Sequence, residues 1–302
     1  MSKRQITIAI DAMGGEDSPF KNIKGAEIFS RTHPEVNLKL FGYKDLILET
    51  IKKHKINLNN FDLVNCEENI SDEDKTNTIL RSRKNSSMFK GLTYVKENID
   101  SGFISAGNTA ALMILSRLIL GMIEGVNRPA ICSNIPNQKS YSLMLDLGAN
   151  VYVTAENLLQ FALMGYAYFS IIDPERKPKI GLINIGTENN KGLEFLQEAH
   201  DLISKSFLKN QFLGFIEPNK ITHGICDIIL SDGYTGNIIL KTAEGLSGFI
   251  TSNLRDVYTK SLKNKLAYKI LSNDLKIFKN QIDPDEYNGA TFLGINGISV
   301  KS

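Results

Sequence analysis

The chain has 302 residues, of which 42% are hydrophobic and 23% are charged, and its formal net charge is +2. This is the composition of a globular protein long enough to bury a large core. A net charge so close to zero excludes a generally basic surface for nucleic acid, so any preference for an anion must arise from local placement.

The cysteines and the apolar runs exclude further classes. Cys66, Cys132 and Cys226 are far apart, so no zinc motif and no disulfide framework is predicted, and a reducing cytoplasm fits. The first apolar run is interrupted by Asp11 and is typical of a strand rather than a signal peptide. No run reaches the length of about 18 residues that predicts a transmembrane helix, although peripheral membrane contact stays open.

Apolar runs with β-forming residues alternate with helix-like segments along the chain. They predict strands at 6–10, 37–41, 62–64, 102–105, 130–135, 142–147, 179–185, 212–216 and 225–230, and helices near 109–124 and 154–172. This alternation predicts a mainly parallel, doubly wound α/β sheet, with ligands beyond the carboxyl ends of the strands. No linker or repeat divides the chain, so residues 1–302 are interpreted as a single domain.

Residues 246–282 differ in kind. Apolar residues recur there at helical spacing among many lysines, and 272–274 interrupt the pattern, which predicts a protruding helical hairpin. Its apolar tip would consist of Leu262, Leu266, Ile270 and Leu271. Such a tip suits an anionic membrane surface, and the alternative is a helix pair that packs in a dimer or against the domain.

Five turns at predicted strand ends are rich in Gly, Asn, Asp, Ser and Thr. They are DAMGGEDSP (11–19), SAGNT (105–109), LDLGAN (145–150), INIGTENNKG (183–192) and SDGYTGN (231–237). Glycine lets the backbone approach a ligand, and the N–H groups at a helix start favour an anion. One such turn is more often only a turn, whereas five together favour an anion site.

No nucleophile–base pair is apparent near these turns. The sequence has no phosphate loop of the GxxxxGK[ST] kind and no GxGxxG, GxSxG or HExxH motif, and its four histidines lie outside the turns. A reaction in which phosphate itself is the nucleophile fits this set of turns, because the protein then needs only to hold phosphate and stabilise an oxyanion. The segment 80–92 is a basic stretch at the start of a predicted helix. It either is only exposed to solvent or contacts an anion or the acyl carrier protein.

Together these segments resemble one family. DAMGGEDSP, RKNSSMFKGL, ISAGNTAALM, LDLGANV, IGLINIGTENNKG and SDGYTGNIILKTAEG are similar, in order and spacing, to the PlsX-type phosphate acyltransferases of bacterial phospholipid synthesis. The resemblance covers nearly the whole chain. It implies transfer of an acyl group from acyl carrier protein to inorganic phosphate, giving an acyl phosphate for a membrane glycerol-3-phosphate acyltransferase.

The resemblance also implies an isocitrate/isopropylmalate dehydrogenase-like fold and a homodimer. From the cysteines and the hairpin we expect a cytoplasmic protein peripherally associated with membranes, and we expect no cofactor or metal. SDGYTGNIILK is similar to a stretch of phosphotransacetylases, which makes Asp232, Asn237 and Lys241 catalytic candidates beside Asn108. Asp232 is expected to orient a group or accept a proton, or merely to cap a helix. The predicted phosphate- and acyl-binding residues are Asp11, Gly14, Gly15, Lys84, Ser86, Ser87, Ser105, Gly107, Thr109, Asp146, Asn150, Asn184, Gly186 and Lys191.

Several departures from the family pattern stand out. Glu16 replaces Asp, whereas Ala110 and Asn288 replace Gly; Ala110 is tolerable if the backbone there is helical. Family members continue past GISVKS with His-Gly and a further helix, and loss of that helix is expected to weaken the fold or dimer. Two alternatives stay open: a coenzyme A-dependent phosphotransacylase, and a shortened inactive protein that binds a membrane or partner.

Overall fold

The computed structural model describes residues 5–58, 60–71, 73–74, 76–283 and 289–302. The contacts divide the chain into two compact units. The first unit contains Met1–Pro129 and Gly289–Ser302, and the second contains Ala130–Asn288. The interpretation of the chain as a single domain stays a prediction.

Strands and helices alternate along most of the chain. The strands are β1 Thr7–Asp11, β2 Asn37–Gly42, β3 Phe61–Asn65, β4 Ser101–Ser105, β5 Ala130–Pro136, β6 Tyr141–Leu145, β7 Ile180–Ile183, β8 Phe212–Ile216, β9 Ile228–Leu230, β10 Ala290–Leu293 and β11 Ile298–Lys301. The helices are α1 Phe20–Thr32, α2 Lys44–His54, α3 Thr76–Ser82, α4 Ser87–Glu97, α5 Thr109–Ile119, α6 Ala155–Ile172, α7 Glu194–Lys205, α8 Gly233–Thr259, α9 Leu262–Ile270 and α10 Ser272–Ile282.

The first unit is built on a sheet with the strand order β3-β2-β1-β4-β11-β10. All neighbours are parallel except β10 and β11. Phe103 on β4 is fully buried, and a methyl group added at Gly91 of α4 would lie 2.1 Å from its ring. Glycine therefore lets α4 lie close against the sheet. Because β1 and β4 are parallel neighbours, their terminal turns share one edge.

The second unit has the order β5-β6-β9-β7-β8, with only β5 and β6 antiparallel. Buried aliphatic residues fill its central strands, as in Leu145, Leu182 and Leu230. The carboxyl ends of β6, β9 and β7 lie side by side at one edge. The prediction of an α/β fold with a mainly parallel sheet is confirmed.

The boundaries differ from prediction in a few places. Helix α5 ends at Ile119, ahead of Gly121 with its φ of 81°, rather than near residue 124. Strands β10 and β11 were not predicted, because each has only four residues and lacks a strong apolar pattern. Strand β11 exists through its long-range pairing with β4, for example Ser299 with Phe103.

Three helices occupy most of the region predicted as a hairpin. Helix α8 begins earlier than expected, at Gly233, and the chain breaks at both Ser261 and Leu271. The Ser261 side chain caps α9 by accepting a hydrogen bond from the Asn264 N–H at 3.1 Å. The tip residues Leu262 and Ile270 are exposed, and a protruding hairpin stays a prediction. In the described part of the chain, no helix is long and apolar enough to cross a bilayer.

Candidate active site

The first cradle consists of the turns 11–15 and 105–109, which follow β1 and β4. Asp11 is 3% exposed, and its carboxylate accepts hydrogen bonds from the Ser105 hydroxyl at 2.7 Å and from the Met13 N–H at 3.1 Å. The Gly107 N–H donates in turn to the Ser105 hydroxyl oxygen at 3.0 Å. Asp11 therefore fixes the two turns to each other.

Two glycines let these turns approach closely. A methyl group added at Gly14 would lie 2.6 Å from the Gly107 nitrogen, so any larger residue would push the turns apart. Gly15 has a φ of 84°, which favours glycine. The Asn22 side-chain amide donates to the carbonyls of Ala12 and Gly14 at 3.0 and 2.8 Å. The glycine turn is consequently held in one conformation.

Helix α5 begins in the first cradle and faces a cavity. Asn108 caps the helix by accepting a hydrogen bond from the Ala111 N–H at 2.9 Å. The N–H groups of a first helical turn have no partner within the helix and favour an anion. The cavity has a volume of about 660 Å³ and is lined by Met13, Gly15, Glu16, Asn69, Ile70, Ser71, Ala106, Gly107, Asn108, Thr109 and Ala110.

The segment before α4 also reaches the first cradle. The buried Ser87 hydroxyl lies near enough to Asp11 to influence the pKa of its carboxyl, whereas Ser86 caps α4 by accepting from the Phe89 N–H at 3.3 Å. Burial raises the pKa of the Asp11 carboxyl, and the hydroxyls of Ser87 and Ser105 oppose that rise. Lys84 is exposed in the preceding turn. The structure therefore joins Ser87 to the cradle directly and Ser86 only as a helix cap.

The second cradle consists of the turns 145–150 and 231–237, which follow β6 and β9. Asp146 is fully buried; one carboxylate oxygen accepts from the N–H groups of Ile131 and Ala149 at 3.0 and 2.9 Å. The other oxygen accepts from the backbone and side-chain nitrogens of Asn150, both at 2.8 Å. Burial raises the pKa of the Asp146 carboxyl, and these donors oppose the rise.

The start of α8 packs tightly on the turn that contains Asp146. The Ser231 hydroxyl donates to the Asp146 carbonyl at 3.1 Å, and the Gly233 N–H donates to the Asn150 carbonyl at 2.8 Å. A methyl group added at Gly236 would lie only 1.9 Å from the Asp146 carbonyl oxygen. This position therefore requires glycine.

The three catalytic candidates on this segment have different surroundings. Asp232 caps α8, because its oxygens accept from the N–H and the hydroxyl of Thr235 at 2.8 and 2.7 Å. Asn237 and Lys241 are exposed and four residues apart, so they share one face of the helix. Lys241 pairs with Glu244 at 2.7 Å. The structure thus gives Asp232 the capping role that the sequence left as an alternative.

The turn after β7 is organised by Asn184. Its side chain donates to the Lys191 carbonyl and accepts from the Ile185 N–H, both at 2.9 Å. The Lys191 ammonium lies 2.7 Å from Glu188, and this hydrogen bond lowers the pKa of the Glu188 carboxyl. A methyl group added at Gly186 would lie 2.7 Å from the Lys191 side chain. The predicted residues of this turn are thus brought together.

Some residues of the site were missed from the sequence. Asn69, Ile70 and Ser71 form a wall of the cavity, and they carry no glycine-rich signature that could identify them. Ser231 lies within a recognised turn, and its position after β9, like that of Ser105 at the end of β4, is a signal that could have found it. Within the described ranges, no cluster of three His, Cys, Asp or Glu side chains could hold a metal ion.

Two of the three departures from the family pattern line the cavity. Ala110 is the second residue of α5, so its backbone is helical as expected, and it lines the cavity. Glu16 is the charged residue among the cavity lining. Asn288 lies outside the described residues.

Comparison with known proteins identifies the family. A sequence profile named "Fatty acid synthesis protein" matches residues 6–302. The chain belongs to this fatty acid synthesis family. Similar curated members are the phosphate acyltransferases of Anaplasma phagocytophilum (strain HZ), 38% identical over 98% of this chain and 87% of the relative, and of Paraburkholderia xenovorans (strain LB400), 40% identical over 98% and 80%.

Solved structures support the fold assignment of this family member. The EutD phosphotransacetylase from Staphylococcus aureus matches with a TM-score of 0.61 at 13% identity, covering 99% of this chain and 88% of that one. A phosphotransacetylase from Streptococcus pyogenes matches with a TM-score of 0.60 at 16% identity, covering 81% and 82%. At such identities the likeness shows the fold alone. Family membership shows that the protein is an enzyme, an acyltransferase.

Proposed function

We propose that this acyltransferase moves a fatty acyl group from the thioester of acyl carrier protein to inorganic phosphate. The product is an acyl phosphate, which a membrane glycerol-3-phosphate acyltransferase consumes in phospholipid synthesis. The observation that carries this proposal is the cavity at the start of α5, whose lining includes Thr109 and Ala110 of the first helical turn, where backbone N–H groups favour an anion.

The reaction needs no nucleophile from the protein. A phosphate oxygen attacks the thioester carbonyl, the C–O bond forms as the C–S bond breaks, and the leaving thiolate takes up the proton that monoanionic phosphate releases. Orientation and electrostatic stabilisation of the developing negative charge are then the main contributions of the enzyme. Thr109 and the backbone of the first turn of α5 would hold the phosphate. Ser105 and Gly107 were expected to bind phosphate, but the Ser105 hydroxyl donates to Asp11 and accepts from the Gly107 N–H, so these residues instead fix the shape of the turn.

We assign the remaining candidates by the geometry around them. Asn237 and Lys241 are exposed donors on one face of α8 and suit an anion bound within the second unit. Asp232 uses its carboxylate for Thr235 and suits a positioning role at the helix start rather than proton transfer. The turn residues of the second unit would support these donors, because Asp146, Asn150, Asn184, Gly186 and Lys191 organise the turns after β6 and β7.

We further propose an isocitrate/isopropylmalate dehydrogenase-like class and a cytoplasmic homodimer that contacts anionic membranes through α9 and α10. Leu262, Leu266 and Ile270 recur every four residues and are 86%, 62% and 76% exposed. Lysines surround them, which suits an interfacial helix. Liposome flotation tests this contact: Leu266→Glu should abolish binding to anionic vesicles, whereas Leu213→Glu, on a different exposed surface, should not. Equal binding by both variants excludes the tip.

The activity itself has a direct test. Purified protein is incubated with palmitoyl-acyl carrier protein and phosphate, and acyl phosphate is trapped as a hydroxamate. Phosphate-dependent formation of hydroxamate is expected. Parallel reactions with palmitoyl-coenzyme A distinguish the phosphotransacylase alternative, which would prefer that thioester. Absence of phosphate-dependent turnover with either thioester would contradict the proposal and favour an inactive binding protein.

A further inference from the structure

Glu16 places a carboxylate at the cavity of the first unit, whose other lining residues are all uncharged. The Glu16 side chain is exposed. In the part of the chain that the structure describes, its carboxylate accepts no hydrogen bond and forms no ion pair. Lys21 pairs instead with Asp17 at 3.0 Å; this hydrogen bond is the main cause of the raised pKa of Lys21, and the charge of Glu16 adds less.

The backbone on both sides of Glu16 is held in place. Gly15 packs against the turn after β4, since a methyl group added to Gly15 would lie 2.8 Å from the Ala106 side chain. On the other side, the Ser18 hydroxyl donates to the Met13 carbonyl at 3.1 Å. Glu16 lies between these two anchored positions, so its place in the cavity wall does not depend on a contact of its own carboxylate.

A carboxylate in this place opposes the binding of anions in general. The same cavity is lined by Thr109 and Ala110 of the first turn of α5, where backbone N–H groups favour an anion. Repulsion between two charges a few ångströms apart near a protein surface is large enough to weaken binding about tenfold or more. The cavity therefore combines groups that attract an anion with one that repels it.

A proton on the anion removes this conflict. At neutral pH inorganic phosphate carries one or two protons, so its P–OH group can donate a hydrogen bond to a carboxylate. Hydrogen bonds to an ionised acceptor are shorter and stronger than those between neutral groups. Sulfate carries no proton at this pH and meets only the repulsion. The Asp11 carboxylate of the first cradle is already engaged, since it accepts from the Ser105 hydroxyl and the Met13 N–H.

We propose that Glu16 accepts a hydrogen bond from the P–OH group of inorganic phosphate, and that it thereby makes the cavity select phosphate over oxyanions that carry no proton. Glu16 is then a specificity-determining residue for the anion. Its role rests on the proposed function, because the cavity of the first unit must be the site that binds the phosphate of that reaction. Glu16 contributes discrimination between anions rather than affinity for all of them.

The test measures dissociation constants of phosphate, arsenate and sulfate by isothermal titration calorimetry on the whole chain, without an acyl donor. At about pH 8.5 phosphate and arsenate are dianions that keep one proton, so they match sulfate in charge and differ from it by that proton. Glu16→Gln removes the carboxylate. Glu97→Gln is the control, because Glu97 is exposed and ends α4, about 15 Å along the helix from the start that reaches the first cradle.

The wild type and Glu97→Gln should bind phosphate and arsenate at least about tenfold more tightly than sulfate, or about 1.4 kcal/mol. In Glu16→Gln both preferences should fall to about threefold or less, mainly because sulfate binds more tightly once the repulsion is removed. If Glu16 acted only as a charge, all three anions would gain equally and the preferences would not change, which overturns the proposal. An equal fall in Glu97→Gln, or a wild type without the preference, also overturns it.

The hydroxamate assay distinguishes failure of the Glu16 role from failure of the proposed function. If the wild type forms hydroxamate, but sulfate competes with phosphate equally well in the wild type and in Glu16→Gln, the acyl transfer stands and the Glu16 role fails. If no thioester is turned over, but the preference for phosphate is present and is lost in Glu16→Gln, the Glu16 role stands and the acyl transfer fails. Absence of oxyanion binding by the wild type overturns the Glu16 role at any level of turnover.

Discussion

The first and second cradles use the same parts in different ways. Each has a buried aspartate at or just after the end of one strand, a buried serine at the same place on the parallel neighbour, and a side chain that caps the following helix. Asp11 joins separate segments, because Ser87 and Ser105 both reach its carboxylate. Asp146 instead takes all four of its donors from backbone and side-chain nitrogens, two of them from Asn150.

The two cradles also differ in the number of residues between the buried serine and the helix cap. Ala106 and Gly107 lie between Ser105 and the cap Asn108, whereas Asp232 follows Ser231 directly. The longer turn leaves space at the start of α5, and the cavity lies there. The shorter turn brings α8 against the Asp146 carbonyl. Similar sequence signatures can therefore leave a cavity in one place and a tightly packed turn in another.

The largest effect should come from adding a methyl group where the second cradle is most tightly packed. Gly236→Ala should lower the free energy of unfolding by about 3 kcal/mol or more, because the new methyl group meets a backbone oxygen that has little room to move. Urea denaturation measures the change. Gly245→Ala on the same helix is the control, since nothing lies within 4 Å of its added methyl, and it should raise stability. Equal behaviour of both variants would contradict the packing argument.

The two aspartates should tolerate amide substitution differently. Asp146→Asn should cost about 2–3 kcal/mol, because its NH₂ group would face N–H donors. Asp11→Asn should cost about 1 kcal/mol or less, since the hydroxyls beside it can rotate and accept from the amide. Chemical denaturation compares the two, and a larger loss for Asp11→Asn would reverse the distinction between the cradles.

Substitutions of the two helix-cap residues should distinguish the proposed phosphate site of the first cradle from the structural role of the second cradle. Asn108→Asp preserves capping but puts negative charge beside the cavity, so KM for phosphate should rise at least about tenfold, or about 1.4 kcal/mol. Asp232→Asn also preserves capping, and its turnover should stay within about twofold. Hydroxamate kinetics measure both. If Asp232→Asn lost as much activity as Asn108→Asp, Asp232 would act in proton transfer.

Glu27 is a carboxylate outside both cradles. Its contribution to stability should depend on pH in the opposite sense to the contributions of Asp11 and Asp146. Hydrogen bonds from Lys24, Asn57 and Arg31 lower the pKa of Glu27 from 4.5 to about 2. A lowered folded-state pKa stabilises the protein above 4.5, and that stabilisation disappears as the pH falls through about 2. The difference in urea midpoint between the wild type and Glu27→Gln should therefore shrink across this window. The raised pKa values of Asp11 and Asp146 act oppositely, since they favour folding as the pH falls.

Local signals in the sequence accounted for the strands that end in polar turns and for the cap of α8 at Asp232, which the sequence left as an alternative. Apolar runs identify buried strands, and Asp before a helix is a strong local preference. The cavity wall at Asn69–Ser71 and the contact of Gly236 with Asp146 could not be predicted in this way. Both depend on residues far apart in the chain that the fold brings together.

Strand β11 has a consequence for the order in which the protein forms during synthesis. It pairs with β4 in the interior of the first unit's sheet, and Ser299 on it hydrogen-bonds Ser116 of α5 at 2.9 Å. The ribosome makes residues 298–301 only after the whole second unit. The unit whose synthesis starts first therefore completes its sheet last, and a growing chain must carry an open edge at β4 until then.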